Sequence, residues 1–372
     1  MIKEERLVNE FLELIQVDSE TKNEAEIAKL LKKKFTELGV EVFEDDTTGE
    51  TGHGAGNLIC TLQGTKGGVD TIYFTSHMDT VVPGNGINPS REDGYIVTDG
   101  TTILGADDKA GLAAMLEAIK VLQEENIKHG DIQFIITVGE ESGLVGAKAL
   151  DPARLKAKYG YALDSDGKVG NIIVAAPTQA KIQAVVHGKT AHAGVAPEKG
   201  VSAITLAAKA ISRMPLGRID DETTANIGRF EGGKQTNIVT DRVDILAEAR
   251  SLVQEKMEHQ VEKMREAFET AADDMGGSVD FHFEVMYPGF KHADGDHVVE
   301  IAKNAVRNIG REPQLLTSGG GSDANIIAGH GIPTVNLGVG YEEIHTTNER
   351  MPIEELTKTA ELVVSIIQET AK

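Results

Sequence analysis

Three runs of strand length are apolar at nearly every position: TIYFTS (71–76), DIQFIITV (131–138) and YGYAL (159–163). A strand with one wet face alternates polar and apolar residues, so a strand that is apolar throughout must be covered on both faces. The stretches between them carry helical spacing. Residues 4–16 place Leu7, Phe11, Leu14 and Ile15 on one face. Ile27, Leu30, Leu31, Phe35 and Leu38 repeat that pattern, and Leu112, Met115, Leu116, Ile119 and Leu122 predict a helix over 108–125. Thr21 and Glu24 have the spacing of a capping box ahead of the second of these helices. Further strands are expected at 41–44 and 57–63. Continuous apolar strands alternating with helices specify an α/β fold, a central sheet flanked by helices.

Around AAPTQAK (175–181) the character changes. KIQAVVH alternates like a half-exposed strand. A helix at 198–213, strands at 223–230 and 243–250, a charged helix at 254–275 and the strand SVDFHFEVM follow. This is the order βαββαβ, a split βαβ, ferredoxin-like α+β unit. Residues 178–290 therefore read as a domain inserted into a larger one made of 1–177 and 291–372.

The net charge, 37 − 59 = −22, excludes nucleic acid and anionic membranes as partners, because both require basic surface. The single cysteine, Cys60, permits no disulfide within the chain and suits the cytoplasm. The start of the chain, MIKEERLVNEFLELIQ, is charged and amphipathic, unlike a signal peptide, and no run is long enough to span a bilayer.

The ends of the apolar strands are where chemistry collects. The first runs into His77, followed after one residue by Asp79. Ligating histidines commonly give their second ring N–H to a carboxylate, so this spacing fits a metal ligand and its orienting partner. The second apolar strand hands over to Glu140 and Glu141, adjacent carboxylates that repel unless something positive is near. The third ends in Asp164. Asp107 and Asp108 lie in a turn before a helix, and His345 follows late in EEIHTTNE. Sites in open α/β sheets form at the carboxyl ends of strands. A mixed set of imidazoles and carboxylates there suits zinc, cobalt or manganese better than calcium. Two cations can share one carboxylate and activate a water between them, with a further glutamate taking its proton.

The motifs SHMDTV, GADDKAG, GEESGLVGAK, ALDSDG, GKTAHAG and IHTTNE occur in the order found in the co-catalytic zinc metallopeptidases related to tripeptidase T. That family also includes glutamate carboxypeptidase, aminoacylase and succinyl-diaminopimelate desuccinylase. The chain resembles this family over essentially its whole length, and the tripeptidase T branch most. The resemblance implies that His77 and Asp164 bind one metal ion, Glu141 and His345 the other, and Asp107 both. It implies that Asp79 orients His77, that Glu140 is the general base, and that the Asp107–Asp108 peptide is cis. The inserted domain would act as lid and homodimerisation domain. His192, in GKTAHAG, would reach the partner's site and stabilise an oxyanion.

Arg250, ending VDILAEAR, suits a substrate carboxylate, and Asn237 in KQTNIV offers an amide. SGGGSDANI lacks the Lys-Ser/Thr of a phosphate loop, so nucleotide binding is rejected. In the resembling enzymes this loop presents backbone to substrate, which makes Gly320, Gly321 and Ser322 site candidates. His53, His129, His187, His259, His282, His292, His297 and His330 carry no such pattern and read as ordinary surface, strand or loop residues. The activity expected is cleavage of short peptides by an aminopeptidase, probing tripeptides first. The same chemistry would serve a deacylase of N-acyl amino acids. A non-catalytic metal-dependent binding protein would need a lost base or ligand, and none is missing.

Overall fold

A computed structural model describes residues 1–372 and divides them into two compact units. The first comprises Met1–Ala175, His292–Ser318 and Ser322–Lys372; the second comprises Ala176–Lys291 with Gly319–Gly321.

The first unit is built on a nine-stranded mixed sheet. Along most of its width the order is Glu41–Glu44, Leu58–Leu62, Ile132–Thr137, Ile72–His77, Tyr159–Ser165, Thr334–Gly338 and Asn171–Ala176. Ile72–His77 runs parallel to both neighbours, and Thr334–Gly338 runs parallel to Tyr159–Ser165. The three apolar runs are thus adjacent central strands. Alternate residues of one strand enter different cores, which is why the runs are apolar throughout. Ile72, Phe74, Ile132, Phe134 and Ile136 join the main cluster with the helices Glu4–Ile15, Ala106–Glu124 and Ile353–Thr370. Tyr73 and Ile135 face a smaller cluster with Leu150 and Ile327.

Two local expectations are corrected. Thr21 and Glu24 form no capping box: the helix Ala25–Glu37 has no side-chain cap, and Glu24 instead accepts N–H bonds from Lys22 and Gly54, both at 2.8 Å. The helix expected from 198 begins at Ala203, capped by Ser202, because Pro197–Lys199 forms a separate 3-10 turn. The helix after GADDKAG is irregular at its start, since Asp107 and Asp108 have non-helical backbone angles. A small sheet of Pro89–Glu92, Tyr95–Thr98 and Arg350–Pro352 carried no clear period in the sequence.

The second unit carries an antiparallel sheet ordered Thr223–Gly232, Arg242–Ser251, Thr178–His187, Ser278–Tyr287. Its buried side packs on the helices Ala203–Arg213 and Gln254–Met275 through Ile182, Leu206, Ile245, Met264 and Phe268. This is the split βαβ arrangement. Gly319–Gly321 belongs with it: Arg250 donates to the Gly319 carbonyl at 2.9 Å, and a Cβ on Gly321 would lie 2.4 Å from the Tyr287 ring.

Phe134 is fully buried, with ring centroids 5.8 Å from Phe35 and 6.1 Å from Phe74. Phe134→Ala is expected to destabilise the first unit by about 3–5 kcal/mol, read as an earlier urea midpoint. An unchanged midpoint would contradict this packing.

Candidate metal centre

Register brings the first candidates together. Thr75 pairs with Ala162, so His77 and Asp164, two residues further on each parallel strand, reach the same level on the same face. Thr137 pairs with His77, and the chain then turns at Gly139, whose φ of +59° suits glycine, to present Glu140 and Glu141. Asp107 arrives from the irregular first turn of Ala106–Glu124, and the Asp107–Asp108 peptide is cis. His345 sits in a turn at φ +61°, a left-handed conformation uncommon for a residue with a Cβ.

The Asp107 carboxylate is divided between two histidines. Its Oδ1 is 3.1 Å from His77 Nε2, and its Oδ2 is 3.2 Å from His345 Nε2. His77 Nε2 is also 3.8 Å from Asp164 Oδ1, and His345 Nε2 is 2.8 Å from Glu141 Oε1. The donor atoms of His77, Asp107 and Asp164 lie within 4.8 Å of one another; so do those of Asp107, Glu141 and His345. A third such group is His77, Glu140 and Glu141. Two imidazoles and several carboxylates, with Asp107 and Glu141 each common to two triads, form a donor set that fits a pair of divalent cations.

Asp79 holds this arrangement from behind. Its backbone carbonyl lies 2.9 Å from His77 Nδ1, and its carboxylate accepts the N–H groups of Glu140 and Glu141 at 3.1 and 3.3 Å. One aspartate therefore sets both the ring of His77 and the turn bearing the two glutamates.

Charge is poorly balanced here without a cation. Burial pushes the Glu140 carboxyl well above the ordinary range, and Asp323, Glu141 and Asp107 add to the effect. Burial does the same to Asp164, reinforced by Glu140. Burial also opposes ionisation of Asp107, but the hydrogen bonds from His345 and His77 outweigh it and hold its pKa low. The His345 pKa is raised to about 10 by its hydrogen bonds to Asp107 and Glu141. Burial works against protonation of His77, yet Asp107 and Asp79 raise its pKa well above the usual value.

Three participants carried no signal in the sequence reading. Glu349, buried, accepts N–H bonds from Leu104 and Gly105 at 2.8 Å and from Asp107 at 3.0 Å, fixing the turn that delivers Asp107. Lys109 is buried beside Asp108, bonded to Ser19 Oγ at 2.9 Å, and its pKa is lowered to about 8 by burial. Asp323, bonded by the Thr137 hydroxyl, is raised to about 6 by burial. The position of Glu349 in IHTTNE, four residues after His345, was the one available hint.

The other candidates are not members of these triads. His192 and Asn237 are in the second unit and are neighbours there: His192 bridges to Ile238, and Ala193 N–H donates to the Asn237 carbonyl at 2.9 Å. Arg250 is also in the second unit, paired with Glu248 at 3.0 Å and with the Gly319 carbonyl, so it lies beside the glycine loop that carries Gly320 and Gly321. Ser322 is in the first unit and caps the helix Asp323–Gly329 in a capping box with Asn325.

Residues 73–369 match the family described as Peptidase family M20/M25/M40. The chain is 76% identical over 372 residues to the uncharacterized protein YqjE of Bacillus subtilis (strain 168), covering 100% of both. Against Peptidase T of Escherichia coli (strain SE11) identity is 27% over 415 positions, covering 99% of each. The crystal structure of aminopeptidase PepT from Bacillus cereus ATCC 10987 is 78% identical, with a TM-score of 0.98 and full coverage of both chains. A tripeptidase from Staphylococcus aureus is 55% identical with a TM-score of 0.97, covering 100% of this chain and 99% of that one. Fold and donor set together define a metallopeptidase of the two-cation type. The chain belongs to peptidase family M20/M25/M40.

A cation needs the histidines neutral, and hydrogen bonds to carboxylates raise the pKa of both, so binding is expected to release protons. Divalent-ion affinity is expected to rise with pH up to the His345 pKa of about 10, and to fall as the histidines are protonated at lower pH. Calorimetry in buffers of different ionisation enthalpy checks the proton release; binding without it would contradict these protonation states.

Proposed function

We propose that this chain is a peptidase T-like aminopeptidase that removes the N-terminal residue of short peptides, tripeptides above all. The observation that carries this reading is the Asp107 carboxylate, split between His77 and His345, with Glu140 in the adjoining turn. The printed names of the relatives at 78% and 55% identity, an aminopeptidase and a tripeptidase, support the same reading.

In this proposal His77 and Asp164 hold one cation, Glu141 and His345 the other, and Asp107 both. This mixed imidazole and carboxylate set would take zinc, with cobalt or manganese as substitutes of similar ligand preference. Bound there, they supply Lewis acidity toward the scissile carbonyl and toward the attacking water. Glu140 takes a proton from that water as its oxygen bonds to the carbonyl carbon. Burial raises the Glu140 pKa, and the adjacent cations would favour the ionised form that a base needs. When the C–N bond breaks, Glu140 returns the proton to the departing amine. Asp79 keeps His77 and the Glu140 turn aligned.

Substrate recognition falls to the second unit and the glycine loop. Arg250 would take the peptide carboxylate, Asn237 a backbone carbonyl, and the backbone at Gly320, Gly321 and Ser322 the extended chain. His192 would stabilise the oxyanion across a homodimer formed through the second unit. Cys60, alone and buried, suits a reducing compartment, and we place the activity in the cytoplasm. No helix is long and apolar enough to cross a membrane.

Glu140→Gln is expected to keep two divalent ions per chain by elemental analysis and to lose about 10²–10⁴-fold in kcat on tripeptides. Unchanged turnover would remove Glu140 from its role. A panel of di-, tri- and tetrapeptides against N-acetyl and N-succinyl amino acids tests the substrate; acyl cleavage without peptide turnover would make the chain a deacylase.

A further inference from the structure

His53 reads in the sequence as an ordinary loop histidine, and the mechanism above does not use it. In the fold it is buried, 4% exposed, with Nε2 2.9 Å from Ser142 Oγ. Ser142 directly follows Glu140 and Glu141. We propose that His53 is a positioning residue for the turn Gly139–Ser142, setting the placement of the base and of the second ion's carboxylate ligand. The proposal rests on the functional reading above.

Proton counting defines the contact. Ser142 Oγ donates its one hydroxyl proton to the Gly139 carbonyl at 3.1 Å, closing the turn on itself. Its oxygen is then left to accept, and His53 must donate from Nε2–H. The other ring nitrogen, Nδ1, is buried without a hydrogen-bond partner. Leaving a buried polar atom unpaired is costly, and an apolar residue of similar volume would avoid it. What the imidazole adds over such a filler is the Nε2–Ser142 bond.

The ring also limits the turn sterically. A Cβ on Gly139 would lie 2.4 Å from His53 Nε2, and Gly139 has φ +59°. Glycine is thus required there twice over, by conformation and by the ring against its Cα.

His53 is itself anchored. Gly54 N–H donates to the buried Glu24 carboxylate at 2.8 Å, and the backbone of Glu24 closes against Gly54. Four residues on, Asn57 grips the other side of the same turn. Its Oδ1 accepts from Val138 N–H at 3.2 Å, and its Nδ2 donates to the Gly146 carbonyl at 2.9 Å. The segment 53–57 therefore clasps 138–146 at both ends, opposite Asp79, which holds the N–H groups of Glu140 and Glu141.

The test uses the full-length protein, metal-free and then loaded with zinc. His53→Leu keeps the volume and removes the donor; Ser142→Ala removes the acceptor at an exposed position; His53→Gln restores an amide N–H near Nε2. Outer partners of ligands typically contribute about 10–100-fold in affinity or activity. His53→Leu and Ser142→Ala are each expected to lower kcat on a tripeptide about 10–100-fold with KM within about twofold, and to weaken binding of one of the two zinc ions by a similar factor in calorimetry. The double variant should be no worse than either single one, and His53→Gln should recover most of both losses. Wild-type kcat and zinc affinity in Ser142→Ala would overturn the proposal even if His53→Leu fails to fold. So would additive losses in the double variant, or a His53→Gln as impaired as His53→Leu. Calorimetry needs no substrate: a wild-type protein that cleaves no peptide would sink the functional reading and leave the zinc-binding test of His53 standing.

Discussion

The structure is organised around crowded negative charge at one edge of a sheet. Asp79, Asp107, Asp108, Asp323 and Glu349 are buried, and Glu140, Glu141 and Asp164 are half-buried beside them. Against them stand two imidazoles and the single buried ammonium of Lys109. Carboxylates brought this close out of water must gain protons, hydrogen bonds or a cation. Hydrogen bonds and protons are both used. Glu349 takes three backbone N–H groups and Asp79 takes two. Burial pushes Glu140 and Asp164 toward the protonated form. What is left over is a deficit of positive charge centred on Asp107, and divalent ions are the simplest way to supply it.

Such a concentration requires a rigid frame. Three adjacent parallel strands, buried on both faces, put their carboxyl ends side by side, so His77, Asp164 and the Glu140 turn are placed by the register of the sheet. Asp107 and His345 cannot be placed that way, because neither lies on a strand. They depend on irregular backbone: non-helical angles at Asp107 and a left-handed φ at His345. Glu349 couples the two, since it follows His345 by four residues and bonds the backbone of Asp107.

The legible part of the sequence was the part governed by short-range pattern. Apolar runs announced the central strands, and polar residues at their ends marked His77, Asp79, Glu140, Glu141 and Asp164. The βαββαβ order of the second unit was equally plain, because its alternation and helical periods are local. Contacts between distant segments were not legible. Glu24 has the spacing to cap its own helix, yet it turns to Gly54, thirty residues away. Glu349 meets a turn 242–245 residues earlier in the chain, and His53 meets Ser142 across 89. No spacing rule connects such pairs. Lys109 was hidden for another reason: a lysine next to two aspartates reads as solvated surface, whereas here it is sealed inside with them.

The paired glutamates show why local sequence stops short of chemistry. Glu140 and Glu141 share a residue type, a turn and a backbone partner in Asp79. They differ in what their side chains meet. Glu141 lies 2.8 Å from His345 Nε2, in one triad with Asp107. Glu140 is pushed toward the neutral form by burial and by Asp323, which suits a group that must hold a proton between two steps. Environments that separate two carboxylates in this way assign them to different tasks. That separation depends on the turn holding one conformation, and Asp79 and the 53–57 segment supply the contacts that hold it.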